Sequence, residues 1–187
     1  MRVDLQDFED KYSAERDPWG FASDQYEQRK YAISVASLPS DRYRRCFEPG
    51  CSIGALTERL ARIADRVIAW DASASAVATA RDRLVQEHNV EIECAAIPEQ
   101  WPVGSFDLIV LSEIGYYWDE HDLEPIIERA HDSLEIGGHL LAVHWLGHSP
   151  DHILHGTTVH TALARVLGDP IVRHTEPAFV LDIWEKG

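Results

Sequence analysis

The stretch Glu48-Pro49-Gly50-Cys51-Ser52-Ile53-Gly54 combines an acid, two glycines and small side chains between the apolar run Arg45-Cys46-Phe47 and the helical pattern Leu56, Leu60, Ile63, Ala64. A strand, tight loop and helix are implied, and the helix start offers unsatisfied N–H groups beside whatever lies at the strand's end. Gly50 and Gly54 suit a positive φ or a ligand close to the backbone. A second acid, Asp71, closes the next apolar run, where a carboxylate can accept hydrogen bonds from ribose hydroxyls. The loop lacks the third glycine of G-x-G-x-x-G, and no G-x-x-x-x-G-K-[ST] occurs. A nucleoside site without a pyrophosphate is the chemistry that survives. His152, His155 and His160 with Asp151 allow a metal site to be imagined, but there is no cysteine or evident fourth ligand, so no metal is expected.

These residues need elements to position them. Strands are expected at Arg66–Asp71, Val90–Ala95, Ser105–Ser112 and His139–Trp145, after the one that ends at Glu48. Helices are expected at Ala72–His88, Asp119–Leu134 and about His155–Leu167, with a closing strand pair at Ile171–Thr175 and Phe179–Trp184. Alternating strands and helices predict a mainly parallel sheet covered on both faces, closed by an antiparallel pair at the edge. Residues 1–22 read as polar and irregular, with an ordered turn at Asp17-Pro18-Trp19-Gly20-Phe21. Ser23 is placed to cap a helix that runs to Leu38. The expectation is one domain over 1–187, a leader or cap over 1–40 and a catalytic core over 44–187.

Composition narrows the partners. The 187 residues carry 32 acidic against 17 basic side chains, a net charge of −15, and a 45% hydrophobic share. Such a surface repels a phosphate backbone and suits a neutral or cationic small molecule. No apolar run is long enough to span a bilayer and the start has no signal-peptide core, so no membrane and a cytoplasmic location are expected. Cys46, Cys51 and Cys94 have no framework spacing and read as small packing residues.

The order Glu-Pro-Gly-Cys-Ser-Ile-Gly, Trp70-Asp71, Phe106-Asp107-Leu108-Ile109-Val110 and Leu134-x-x-Gly137-Gly138 resembles the class I S-adenosylmethionine-dependent methyltransferases. Asp17-Pro18-Trp19-Gly20, Tyr26-Glu27-Gln28-Arg29-Lys30-Tyr31, Trp101-Pro102, Ser112-Glu113-Ile114-Gly115-Tyr116-Tyr117 and Val143-His144-Trp145 narrow the resemblance to the NodS family. That family is named for the rhizobial enzyme that N-methylates the free amine of a deacetylated chitooligosaccharide. The resemblance implies a Rossmann-like fold with a seven-stranded, mostly parallel sheet and an antiparallel C-terminal edge strand. It also implies S-adenosyl-L-methionine as cofactor, with S-adenosyl-L-homocysteine as product.

Carried over from that family, Glu48, Gly50, Cys51 and Gly54 surround the methionine part, Asp71 holds the ribose, and Ala72 lies against the adenine. Ala96 and Ile97 offer backbone groups where many relatives place an acid. Ser112 and Glu113 follow the fourth strand, and Trp19 and Tyr26 belong to the cofactor side of the rim. Methyl transfer is an in-line displacement that requires an unprotonated amine. Glu113 and His144 are therefore expected to position the amine or take its proton, with Tyr116, Tyr117, Asp119, Trp145 and His160 on the acceptor side. The acceptor is expected to be a small molecule or saccharide, and the protein a monomer or weak homodimer. A small-molecule O-methyltransferase and a non-catalytic partner protein with this fold are the alternatives.

Overall fold

The structure is a computed structural model and describes residues 3–187. The chain condenses into two compact units, one of residues 4–102 and one of residues 103–187 with Val3.

In the first unit, α1 (Leu5–Ala14) and α2 (Gln25–Ala36) precede β1 (Tyr43–Pro49), α3 (Thr57–Ile63), β2 (Ala64–Asp71), α4 (Ala74–Arg83) and β3 (Val90–Cys94). The strands are parallel in the order β3-β2-β1. Cys46 and Phe47 of β1 and Val67 and Ala69 of β2 are fully buried, the burial expected of a parallel sheet with both faces covered. The leader departs from expectation. Asp4 accepts from the Gln6 N–H at 2.9 Å and starts α1, whose Leu5, Phe8 and Tyr12 recur at helical spacing within a strongly charged sequence. Asp24, rather than Ser23, caps α2, accepting from the Tyr26 N–H at 2.7 Å. Helix α4 ends at Arg83, well short of His88. Asn89 donates to the carbonyls of Ala61 and Ala64 at 2.8 Å each and ties the chain back to the start of β2.

The second unit holds β4 (Phe106–Ser112), a 3₁₀ turn at Gly115–Tyr117, α5 (Glu120–Ser133), β5 (Leu134–Trp145), α6 (Gly156–Leu167), β6 (Val172–Thr175) and β7 (Phe179–Glu185). Its strand order is β4-β5-β7-β6, with β7 antiparallel to both neighbours. The expected antiparallel closure is therefore present, with the last strand inserted between β5 and β6. Strand β5 begins at Leu134, five residues before expectation. The Gly137-Gly138 pair is absorbed as a register shift opposite Phe106–Leu108 instead of ending a turn. A Cβ on Gly138 would lie 2.9 Å from the Glu135 carbonyl oxygen, so glycine is required there. The three parallel strands of the first unit and the four mixed strands of the second are those of a class I methyltransferase fold.

Candidate functional site

The loop from β1 to α3 is held open by three left-handed residues, Gly50 (φ 73°), Ser52 (φ 52°) and Gly54 (φ 78°). Ser52 has a Cβ and pays a steric penalty there, so other contacts must hold it. Its N–H donates to Asp71 Oδ2 at 2.8 Å, while the Ser73 N–H donates to Asp71 Oδ1 at 2.9 Å. Asp71 thus organises the glycine loop as well as the end of β2. A side chain on Gly54 would be strained at φ 78° and would crowd Leu84 Cδ1 and Ala80 Cβ, at 2.8 and 3.3 Å, where α4 packs against the loop.

Glu48 is 2% exposed at the end of β1, and Thr57 Oγ1 donates to its Oε2 at 2.6 Å. Burial pushes its pKa from 4.5 up to about 8; the Thr57 hydrogen bond opposes this and the Asp71 charge adds to it. Burial also raises Asp71, against the backbone hydrogen bonds from Ser73 and Ser52. Cys51 is buried beside both acids, and burial lifts its thiol well above 9, so it packs rather than reacts. Two buried or partly buried carboxyls lie beside the glycine loop, both with raised pKa values, and a nearby cation would favour their ionised forms.

Helix α1 rests on this loop. The Tyr12 and Ser52 hydroxyls are 2.5 Å apart, and Glu9 accepts from the Ser73 and Ser75 hydroxyls at 2.6 Å each and from the Ser75 N–H at 3.2 Å. The Glu9 carboxylate therefore sits at the N-terminus of α4, where the helix dipole favours negative charge. Hydrogen bonds from Ser73 and Ser75 hold its pKa down near 2. Trp19 stacks on Phe21 (5.6 Å, 18°) and meets Tyr12 edge-on at 5.2 Å. Asp17 accepts from the N–H groups of Phe21 and Ala22 at 2.8 and 2.9 Å, which gives the expected ordered turn. Tyr26 lies over the buried Lys30 ammonium at 5.0 Å, and Lys30 pairs with Glu27 at 3.0 Å. Both backbone groups of Ala96 are engaged by Gln100, the N–H with Oε1 at 3.3 Å and the carbonyl with the Gln100 N–H at 3.0 Å. Ile97 is buried, and Ala72 carries a carbonyl that accepts from the Cys94 thiol at 3.6 Å.

In the second unit, β4 ends at the partly buried Ser112 and passes into Glu113, another left-handed non-glycine residue (φ 54°). The Glu113 N–H donates to the Val143 carbonyl at 2.9 Å. Its Oε2 accepts from the Trp145 N–H at 2.9 Å and from the Tyr116 hydroxyl. The strain and the three bonds together fix one carboxylate at the carboxyl end of the strand. Tyr116 is buried and stacks on His152 at 3.7 Å; the half-buried Tyr117 meets both edge-on, at 5.0 and 5.6 Å. Burial lowers the His152 pKa, partly offset by the Glu113 and Asp151 charges.

Two expected acceptor-side residues, Asp119 and His160, and the expected catalytic His144 make hydrogen bonds within the protein. Asp119 caps α5, accepting from the Asp122 N–H at 3.0 Å. His144 is fully buried: Nε2 accepts from the Gly115 N–H at 3.0 Å and Nδ1 faces His160 Nε2 at 3.1 Å. His160 is 5% exposed and its Nδ1 faces Asp182 Oδ2 at 2.7 Å. Trp145 leans on Gly147, where any Cβ would fall 1.7 Å from the indole. His155 caps α6 and bonds the Leu146 carbonyl at 2.9 Å, so His152, His155 and His160 do not converge. Among the described residues the only His/Cys/Asp/Glu group close enough for a metal is Asp119, His121 and Asp122, of which His121 is exposed and the two acids are partly buried. Sequence reasoning missed Glu9, Tyr12, Thr57 and Asp182. The last left a trace, as an acid inside the apolar run Phe179–Trp184.

The family model for Nodulation protein S (NodS) matches residues 2–141. Nodulation protein S of Sinorhizobium fredii is 28% identical over 132 residues, 68% of this chain and 60% of the relative. That of Rhizobium tropici is 28% identical over 127 residues, 67% and 53%. The chain thus spans little more than half the length of these curated relatives. A solved structure from Pseudomonas syringae is 41% identical, with a TM-score of 0.78, covering 87% of this chain and 100% of that one. The crystal structure of N-methyltransferase NodS from Bradyrhizobium japonicum WM9 in complex with S-adenosyl-L-homocysteine is 25% identical, with a TM-score of 0.86 and 97% coverage of both chains. With three quarters of its length matched by the family model and the strand order of the fold in place, the chain belongs to the NodS family.

Proposed function

We propose that this protein is an S-adenosyl-L-methionine-dependent methyltransferase that methylates the free amine of an amino sugar or another small amine. The observation that carries it is Glu48, a carboxyl buried beside the glycine loop and hydrogen-bonded to the Thr57 hydroxyl. A cationic amino group or sulfonium is what such a carboxyl lacks, and the donor's methionine part has both. The NodS structure from Bradyrhizobium japonicum holds the demethylated donor, which supports the same cofactor here.

The residues fit the donor. Glu48 would bind its amino group, the backbone at Gly50–Gly54 would pass beside the sulfonium, and Asp71 would accept from the ribose. When bound, S-adenosylmethionine supplies an electrophilic methyl group and leaves as the neutral thioether S-adenosylhomocysteine. The acceptor nitrogen gives its lone pair to the new N–C bond and sheds one proton. Glu113, anchored by Trp145 and Tyr116, would orient the nitrogen and take that proton, directly or through water. Tyr117 and Trp145 offer aromatic faces to a sugar ring or an ammonium. A net charge of −15 favours approach of a cationic acceptor.

Titration calorimetry with S-adenosylmethionine and S-adenosylhomocysteine, followed by methylation of glucosamine oligomers with and without N-acetyl groups, tests the proposal. Binding of both ligands and methylation of only the free-amine oligomers is expected. Failure to bind either ligand overturns the enzyme assignment, and activity only on acetylated oligomers overturns the amine assignment.

A further inference from the structure

Gly115, His144, His160, Asp182 and Arg173 form one hydrogen-bonded file in which every proton can be assigned. A backbone N–H can only donate, so His144 Nε2, 3.0 Å from the Gly115 nitrogen, carries no proton. Neutral His144 therefore bears its hydrogen on Nδ1 and donates to His160 Nε2 at 3.1 Å. His160 in turn bears its hydrogen on Nδ1 and donates to Asp182 Oδ2 at 2.7 Å. Asp182 is fully buried, and Arg173 clasps it at 2.8 and 3.1 Å. Burial pushes the Asp182 pKa up, but the hydrogen bonds from His160 and Arg173 outweigh it and keep the carboxyl below its ordinary value. Moving either imidazole proton to the other nitrogen of its ring sets two N–H groups or two lone pairs against each other.

The end of the file is the turn that carries Tyr116. A Cβ on Gly115 would lie 2.5 Å from Val159 Cγ1 and 2.9 Å from His144 Nε2, so this glycine rests directly on the imidazole. The Tyr116 carbonyl is clasped by the N–H groups of Ile153 and Leu154 at 2.9 and 3.1 Å, and its hydroxyl donates to Glu113.

We infer that Asp182 and His160 are positioning residues that lock His144 in the Nδ1–H tautomer, so that its Nε2 seats the Gly115–Tyr117 turn and Tyr116 aims the Glu113 carboxylate. The chemical use of that carboxylate rests on the methyltransferase assignment; the tautomer lock does not. Arg173 supplies the counter-charge that keeps Asp182 an acceptor. His144 then serves the reaction through the turn, since its basic nitrogen is already spent on a backbone N–H.

Two-bond proton–nitrogen correlation spectra of the wild-type protein report the tautomers directly. Both His144 and His160 are expected as Nδ1–H forms, although imidazole in water prefers the Nε2–H form. His160→Leu should speed exchange of the Gly115 amide by about tenfold, the scale of one lost hydrogen bond. Against a glucosamine tetramer it should lower kcat by about tenfold while the S-adenosylmethionine Kd stays unchanged. His160→Gln, which keeps one acceptor and one donor, should restore most of both. A proton on His144 Nε2 in the wild type, or full Gly115 protection and turnover in His160→Leu, overturns the inference. Should His160→Leu not fold, the wild-type tautomers and His160→Gln decide it. If the tetramer is not methylated by the wild type while the tautomers and Gly115 exchange follow expectation, the acceptor assignment fails and the positioning role stands.

Discussion

Thr57 Oγ1 donates to Glu48 Oε2 at 2.6 Å, and with this bond a carboxyl at 2% exposure is held at the end of β1 beside a second acid, Asp71. One neutral hydroxyl does not offset the loss of water around a carboxylate, so the protonated form prevails to about pH 8. Under the proposed function, the donor's ammonium would supply the charge that stabilises the ionised Glu48.

The unliganded protein should lose stability as pH rises from 4.5 to about 8 on account of this group. A carboxyl whose folded pKa is raised binds its proton more tightly when folded, and ionising it in the buried site costs on the order of several kcal/mol. Glu48→Gln keeps the Thr57 acceptor and removes the charge. Its melting temperature should exceed the wild type's at pH 8 and converge with it towards pH 4.5. Parallel melting curves across that range would refute the burial argument.

Donor binding should release a proton at pH 7. The ammonium of the methionine part favours the ionised Glu48, so close to one proton leaves as the complex forms. Calorimetry of S-adenosylhomocysteine binding in buffers of different ionisation enthalpy measures this number. Glu48→Gln should release none and bind more weakly by about 1–3 kcal/mol. An equal release from both proteins would assign the proton to another group.

The β1–α3 loop was legible because its signals are local: an acid, two glycines and a second acid lie within one strand–helix–strand unit. Helix α1 was not, since its apolar residues Leu5, Phe8 and Tyr12 are diluted by charges. Its partner serines, Ser52, Ser73 and Ser75, lie far along the chain. The Asp182 file depends on register. Ala142 faces Asp182 across β5 and β7, and Arg173 faces it across β6 and β7, pairings that no local pattern encodes. His144 and His160 were recognisable as chemistry-bearing residues, but their burial and their pairing follow only from how α6 packs on that sheet. Glu113 was found through its place after β4; its left-handed backbone was not foreseeable from a glutamate.

Glu9 makes an acid-sensitive clasp. Its pKa is held near 2 against an ordinary 4.5 by the Ser73 and Ser75 hydrogen bonds. The stability it contributes is therefore complete above pH 4.5 and is lost as pH falls towards 2. Trp19 packs on Tyr12 of the same helix, so its fluorescence reports α1 docking. Wild type should show a fluorescence change in that window, and Glu9→Gln should show it weakened or already complete at neutral pH. The same acid transition in both proteins would remove Glu9 from the clasp.

Glu113→Gln separates holding from proton acceptance. The amide oxygen can still accept from Trp145 N–H or the Tyr116 hydroxyl, so the fold and the turn should persist. Loss of the carboxylate should lower turnover with a free-amine oligomer by about 10²-fold, the lower end for a general base. S-adenosylmethionine affinity should remain that of the wild type, because Glu48 and Asp71, the residues proposed to hold the donor, are untouched. As pH rises, the acceptor amine loses its own proton, so the deficit should shrink steadily through the amine's titration. A deficit that stays constant with pH would make Glu113 a binding group, and undiminished turnover would remove it from the reaction.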